Sequence, residues 1–230
     1  RSERRLIGAR PVDRWHRHIQ ESLNDHFTLV SLEIEPSSLR LNEGPGHHFK
    51  GCPVKLDLVI ECIQANIGDS IVFSDSTLHF NRTRVQELAE DVQELAERAD
   101  LIFADNRIDK DVNIGVMLIR CNRRTLRFWK RVRAGFSRNQ WDQQLVNDAL
   151  AAQGSLASLM RSRVSWTTFD SSRVICGYQF DEACRDGFFV FKQFIHPGSR
   201  TSNWNERIMA LNRSGFIDNR KLADLLRAES

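Results

Sequence analysis

The chain has 230 residues, 41% of them hydrophobic and 27% charged, with a mean hydropathy of −0.42. That composition excludes intrinsic disorder, and 12 Gly and 5 Pro are too few for a fibrous or low-complexity chain. The 33 basic and 30 acidic residues nearly balance, at a net charge of +3.

No run reaches the roughly 18 apolar residues that a membrane-spanning helix needs. The length suits one α/β domain, read here as a single domain over residues 1–230. A chain of this size buries on the order of 70% of its unfolded surface, so it needs no disulfides to fold. Its five cysteines, Cys52, Cys62, Cys121, Cys176 and Cys184, contain no CxxC pair, which argues against a zinc site of ordinary spacing. Reduced thiols favour a cytoplasmic location. Membrane association stays open, because the chain starts at Arg1 rather than Met and a leader or anchor can have been removed.

In chain order, Val12 to His26 reads as a helix with Trp15, Ile19 and Leu23 on one face. Phe27 to Ile34 reads as a strand, and Glu35 to Gly51, rich in Pro, Gly, Ser and His, as a loop. Pro53 to Ile67 is helical, with Leu56, Val59, Ile60 and Ile63 turned inward. Ser70 to Phe73 is a short strand that enters a polar cluster. Val85 to Ala99 is an amphipathic helix on the spacing of Val85, Leu88, Val92, Leu95 and Ala99. Leu101 to Ala104 and Asn113 to Ile119 are strands, and Thr125 to Ala134 and Trp141 to Ala151 are helices. Val164 to Phe169 and Phe188 to Ile195 follow as strands, and residues 202–211 and 219–228 as C-terminal helices. Strands alternating with helices predict a mostly parallel sheet flanked by helices, with ligands at the carboxyl ends of the strands.

Polar residues just after apolar strands are therefore the candidates for a site. Asp75, in Ser74-Asp75-Ser76-Thr77, either grips a ribose hydroxyl or a metal, or caps a turn. Asn113, two residues before Gly115, either offers its amide to a ligand that approaches the glycine closely or opens a strand with a bulge. Asp142 and Gln143 begin a helix, where Asp142 either caps it or projects into a cleft. His196, before Pro197-Gly198, is either a metal or phosphate ligand or a structural histidine. Only six basic residues are Lys, which leaves 27 Arg. Arg suits phosphate, yet Arg120, Arg124, Arg127 and Arg131 fall on the spacing of an ordinary solvated helix stripe.

Taken in order, Ile71 to Phe80, Asp100 to Asp105, Asn113 to Asn122, Trp141 to Leu150 and His196 resemble nucleotide-sugar-dependent glycosyltransferases of the GT-A fold. The likeness is to the nucleotide-diphospho-sugar transferase family and, more distantly, to the glycogenin and lipopolysaccharide galactosyltransferase group. It covers roughly residues 50 to 200. It implies a GT-A, Rossmann-like sheet and transfer of a sugar, from UDP by default, to a glycan, lipid-linked or protein acceptor. Asp75 matches the first Asp of the family's Asp-x-Asp, which touches the ribose and often the metal, with Ser76 beside it on the nucleotide. Thr77 stands where the second Asp, a direct metal ligand, belongs.

Asn113 and Gly115 match the Asn-x-Gly pair of the sugar pocket, with Asp105 facing the same sugar. Asp142 and Gln143 match the Asp-Gln pair, with Asp142 on sugar hydroxyls and Gln143 beneath the anomeric carbon. His196 matches the C-terminal His that binds metal and diphosphate. Lys55 falls where the family places a basic nucleotide contact. Lys192, His196 and Arg200 cluster in sequence around the expected diphosphate. Mn²⁺ or Mg²⁺ would rest on Asp75 and His196. Because an amide cannot act as a general base, the Gln143 position implies retention of anomeric configuration. A degenerate nucleotide-sugar-binding protein and an Arg-rich nucleic-acid-binding domain are the competing classes. The small net charge and the lack of a nucleic-acid motif count against the last.

Overall fold

A computed structural model describes residues 27, 47–75, 78–81, 84–105, 111–137, 140–154, 163–176 and 190–192. Four helices and seven strands lie in these segments: α1 (His47–Ala65), β1 (Ser70–Ser74), β2 (Leu78–Phe80), α2 (Val85–Arg98), β3 (Leu101–Asp105), β4 (Val112–Arg120), α3 (Arg123–Ala134), α4 (Asp142–Ala151), β5 (Trp166–Thr168), β6 (Val174–Cys176) and β7 (Val190–Lys192). The N-terminal helix and strand and the two C-terminal helices of the sequence reading lie outside the described residues.

The larger sheet has the order β1-β4-β3-β5. Helices flank it, as expected, but the described sheet is mixed rather than mostly parallel. β4 runs antiparallel to both β1 and β3, and only β3 and β5 are parallel. The cause is connection length. Residues 106–111 alone separate β3 from β4, and a parallel crossover needs a dozen or more. β1 and β3 are joined through α2 and do run in the same direction, one on each side of β4. A smaller sheet, β2-β7-β6, pairs β2 with β7 antiparallel and β7 with β6 parallel. β2 and β6, at three residues each, are too short for a periodicity argument and were not expected.

α1 begins at His47, inside the stretch expected to be a loop, and runs through Pro53. Pro53 has no N–H for the fourth carbonyl before it, so composition marks a break where the helix continues. At the far end the chain turns at Gly68, whose φ of +104° is a conformation that side chains rarely adopt. The Gly68 N–H then donates to the Cys121 carbonyl at 2.9 Å.

Alternating residues of the central strands feed two cores, one on each face. Leu101, Phe103, Met117 and Ile119 pack with Leu56, Val59 and Ile63 of α1, Phe128, Trp129 and Val132 of α3, and Val146 of α4. Ile102, Ala104, Val116 and Leu118 pack with Val85 and Leu88 of α2 and with Phe80, Phe169 and Val174. Burial on both faces explains why β3 and β4 read as almost continuous apolar runs. Trp129 and Phe103 are fully buried, and truncating either to Ala costs about 3–5 kcal/mol.

The lower end of the sheet is tied by Asp100. Its carboxylate accepts from the Ser165 N–H (3.0 Å) and hydroxyl (3.1 Å), from Asn122 Nδ2 (2.9 Å) and from Arg124 Nη2 (3.0 Å). Asn122 also caps α3: its side chain accepts from the N–H groups of Arg124 and Thr125, while the Thr125 hydroxyl accepts from the Asn122 N–H. β3, β5 and α3 thus start from one knot. The basic residues of α3 face outward: Arg123, Arg124, Arg127 and Arg131 are exposed, with Phe128, Trp129 and Val132 on the inner face. Asn81, which opens a glycosylation-like Asn-Arg-Thr triplet, is buried.

Candidate active site

The carboxyl ends of β1, β3 and β5 and the amino end of β4 share one edge of the sheet. Asp75 lies there, one residue beyond β1, and its N–H donates to the Gly115 carbonyl at 2.9 Å. This bond extends the β1–β4 ladder by one step and joins two of the expected site positions through the backbone.

On its other side, β4 leaves the ladder. Ala104 pairs with Asn113 while Phe103 pairs with Met117, so one step on β3 spans four on β4. Ile114, Gly115 and Val116 form the bulge. The bulge also shifts the side-chain phase, since Ile114 packs in the α1 core while Val116 packs in the α2 core. Asn113 stabilises it from within: its Oδ1 accepts from the Gly115 N–H at 2.8 Å, and the residue is fully buried. The strand entry with a bulge expected at Asn113 and Gly115 is present, and the bulge lies against Asp75.

Three expected site residues meet in space. Lys55 on α1 places its Nζ 2.8 Å from Asp75 Oδ1 and 3.7 Å from Asp142 Oδ2. The side chains are 18%, 29% and 13% exposed, so water screens the trio only in part. Asp142 Oδ1 accepts from the Gln143 N–H at 2.9 Å, and Gln143 follows on the first turn of α4. The carboxylate thus serves its own helix terminus with one oxygen and faces Lys55 with the other.

Two neighbours of this cluster were not singled out from the sequence. Cys52, one turn before Lys55 on α1, is buried. Burial pushes its thiol up to about 11, the Asp142 carboxylate adds to the rise, and the Asp142 N–H and Lys55 oppose it. Asn147, one turn beyond Gln143, fastens α4 to β4. Its Oδ1 accepts from the Val112 N–H at 2.8 Å, and its Nδ2 donates to the carbonyls of Val112 (3.1 Å) and Gln143 (3.0 Å). A polar residue on the inward face of α4, between Val146 and Leu150, is the feature that could have pointed to it.

Asp105 ends β3 on the same edge but lines a separate cavity of about 560 Å³ along β5, with Arg98, Trp166, Thr168 and Asp170. Neither Asp75 nor Asp142 borders that cavity. Lys192 ends β7, its backbone paired with Leu78, three residues beyond Asp75. Ser76, Thr77, His196 and Arg200 lie outside the described residues.

Of the two ligands expected for Mn²⁺ or Mg²⁺, Asp75 is described and His196 lies outside the described residues. Among the described residues, no group of three His, Cys, Asp or Glu side chains converges as a metal site. The carboxylate matched to the metal already holds the Lys55 ammonium at 2.8 Å, and a divalent ion on Asp75 would sit beside that positive charge and be repelled by it.

A mixed sheet with helices on both faces, with Asp75, Asp142 and Lys55 gathered where β1 and β3 end, has the architecture of a GT-A-like α/β domain. The family model for nucleotide-diphospho-sugar transferases matches residues 57–211. The chain belongs to the nucleotide-diphospho-sugar transferase family, whose described activity is transfer of a sugar from a nucleotide sugar. The match does not speak to the glycogenin-like group. No curated protein and no solved structure matches the chain. Among the described residues, no helix is long and apolar enough to cross a membrane, and Cys52, Cys62 and Cys121 form no disulfide.

Proposed function

We propose that the protein transfers a sugar from a UDP-sugar to an acceptor hydroxyl with retention of configuration, at the edge where Asp75, Asn113, Gly115, Asp142 and Gln143 gather. The observation that carries this reading is the Lys55 bridge between Asp75 and Asp142, residues 67 positions apart in the chain. Asp75 and Ser76 hold the nucleotide. Asp142 takes a sugar hydroxyl, and Gln143 lies under the anomeric carbon.

Transfer breaks the bond between the anomeric carbon and the diphosphate oxygen, and its electron pair leaves with the diphosphate. The acceptor oxygen bonds the same carbon on the same face, and its proton passes to the departing phosphate oxygen. Two charges then need support: the negative charge that grows on the diphosphate, and the positive character of the anomeric carbon. The Gln143 carbonyl oxygen can face the second without titrating.

A thermal-shift panel of nucleotide sugars tests the donor. Ligand at about 100 times its dissociation constant adds roughly 2.7 kcal/mol of stability, and a UDP-sugar should produce the largest rise. Indifference to the whole panel would defeat the reading. Proton NMR of the product's anomeric coupling tests the stereochemistry, and an inverted product would remove Gln143 from its assigned place.

A further inference from the structure

A leaving nucleoside diphosphate needs a cation beside it, and a divalent ion on paired carboxylates is the usual supply. This chain has Thr77 at the second carboxylate position, and Lys55 Nζ lies where the two remaining carboxylates meet. We propose that Lys55 is the resident cation of the donor site, gripping the diphosphate directly so that the nucleotide sugar binds without a divalent metal. The proposal rests on the glycosyltransferase reading just given.

Three features of the molecule support it. First, the ammonium is positioned before any ligand arrives. Its stem leaves α1 between the inward Cys52 and the fully buried Leu56, and the side chain is only 18% exposed. Second, its ammonium carries three N–H donors, and of its two carboxylate contacts only the one to Asp75 is within hydrogen-bond length, so a phosphate oxygen can take a donor without displacing Asp75. Lysine is a compact charge well suited to phosphate. Third, its two contacts are unequal. The 2.8 Å contact to Asp75 is a hydrogen-bonded ion pair, whereas the 3.7 Å contact to Asp142 is beyond hydrogen-bond length. Lys55 can give up Asp142 for a phosphate while Asp75 keeps it in place. Asp142 Oδ2 then becomes available to a sugar hydroxyl, the role proposed for it above.

The experiment measures calorimetric affinity for UDP, GDP and ADP in EDTA and again in Mn²⁺. Wild type is compared with Lys55→Met and Lys55→Arg, each checked for folding by circular dichroism. Mn²⁺ uptake is followed separately by loss of the free-ion EPR signal. Wild type should bind at least one nucleotide equally well in both buffers. Lys55→Met should weaken that binding in EDTA by about 10- to 100-fold, the range for a lost hydrogen bond to a charged group. Lys55→Arg should keep most of it. Lys55→Met should also take up Mn²⁺ that wild type does not, since Asp75 and Asp142 lose their counter-charge. Wild-type binding that appears only with Mn²⁺ would overturn the proposal and leave the glycosyltransferase reading intact. A folded Lys55→Met that binds like wild type in EDTA would overturn it as well. Failure of every nucleotide in both buffers would overturn proposal and reading together. If Lys55→Met does not fold, the two wild-type buffers and Lys55→Arg still decide.

Discussion

Asn147 holds both backbone groups of Val112, accepting from its N–H at 2.8 Å and donating to its carbonyl at 3.1 Å. One carboxamide thereby copies a strand partner at the start of β4, just where the bulge begins. The same side chain donates to the Gln143 carbonyl. The first turn of α4, which carries Asp142 and Gln143, is therefore registered against Val112, the residue before Asn113.

Asn147→Ala removes this clip and leaves the backbone of buried Val112 without its partner. The expected loss is about 1–3 kcal/mol of stability, read as a lower urea midpoint. Under the proposed function, in which Asp75 and Lys55 hold the nucleotide and α4 positions the sugar, turnover should fall further than nucleotide affinity. Asn147→Asp should be no milder, since a carboxylate would face two carbonyl oxygens. Equal losses in kcat and affinity would argue against a positioning role.

Asp100 anchors the opposite end of the sheet. Burial raises its pKa, but the Ser165, Asn122 and Arg124 hydrogen bonds outweigh that and hold it below the usual carboxylate range. A lowered folded value means that its contribution is fully present above about pH 4, the ordinary Asp value, and drains as pH falls through the folded value. Asp100→Asn puts amide hydrogens against the donors on one side of the knot and should cost about 3 kcal/mol. Unfolding midpoints followed down to acid pH should show wild type losing stability more steeply than the variant.

Two buried thiols predict a loss of stability in alkali. Burial pushes Cys52 and Cys121 up to about 11 from an ordinary 9.0. A raised folded value gives stability that is complete below pH 9 and is lost as pH rises toward 11. Each thiol should account for about 2–3 kcal/mol across that window. Cys52→Ala and Cys121→Ala should each flatten the alkaline limb of a melting-temperature profile. At neutral pH both thiols should alkylate far more slowly than an exposed cysteine.

Thr77→Asp supplies the second carboxylate that the family resemblance leads one to expect after Asp75. With Lys55 as the cation, the variant should gain no Mn²⁺-dependent stabilisation, whereas a newly made metal site at about 100 times its dissociation constant would add roughly 2.7 kcal/mol. A large Mn²⁺-dependent rise in melting temperature and in turnover would mean a damaged metal site, the degenerate alternative.

Much of the architecture was legible in the chain because period and punctuation are local. Val85, Leu88, Val92 and Leu95 mark α2 wherever it packs, and the double-sided burial of β3 and β4 shows in their unbroken apolar runs. Local order also misled. Gly, Pro and His before Cys52 read as loop, although α1 passes through Pro53. Alternating strands and helices suggested a parallel sheet, although the short β3–β4 connection forces an antiparallel neighbour.

The candidate site divides along the same line. Residue type and order singled out Asp75, Asn113, Asp142 and Gln143, and the family resemblance added Lys55 and the expectation of a sugar-nucleotide enzyme. Folding alone brought Lys55 between two carboxylates, turned Asn113 inward to cap a bulge and placed Asp105 on a cavity that neither Asp75 nor Asp142 borders. Propensity acts over a few neighbouring residues, whereas an ion pair or a bulge depends on which distant segments come to lie side by side, and that is set by packing the whole core.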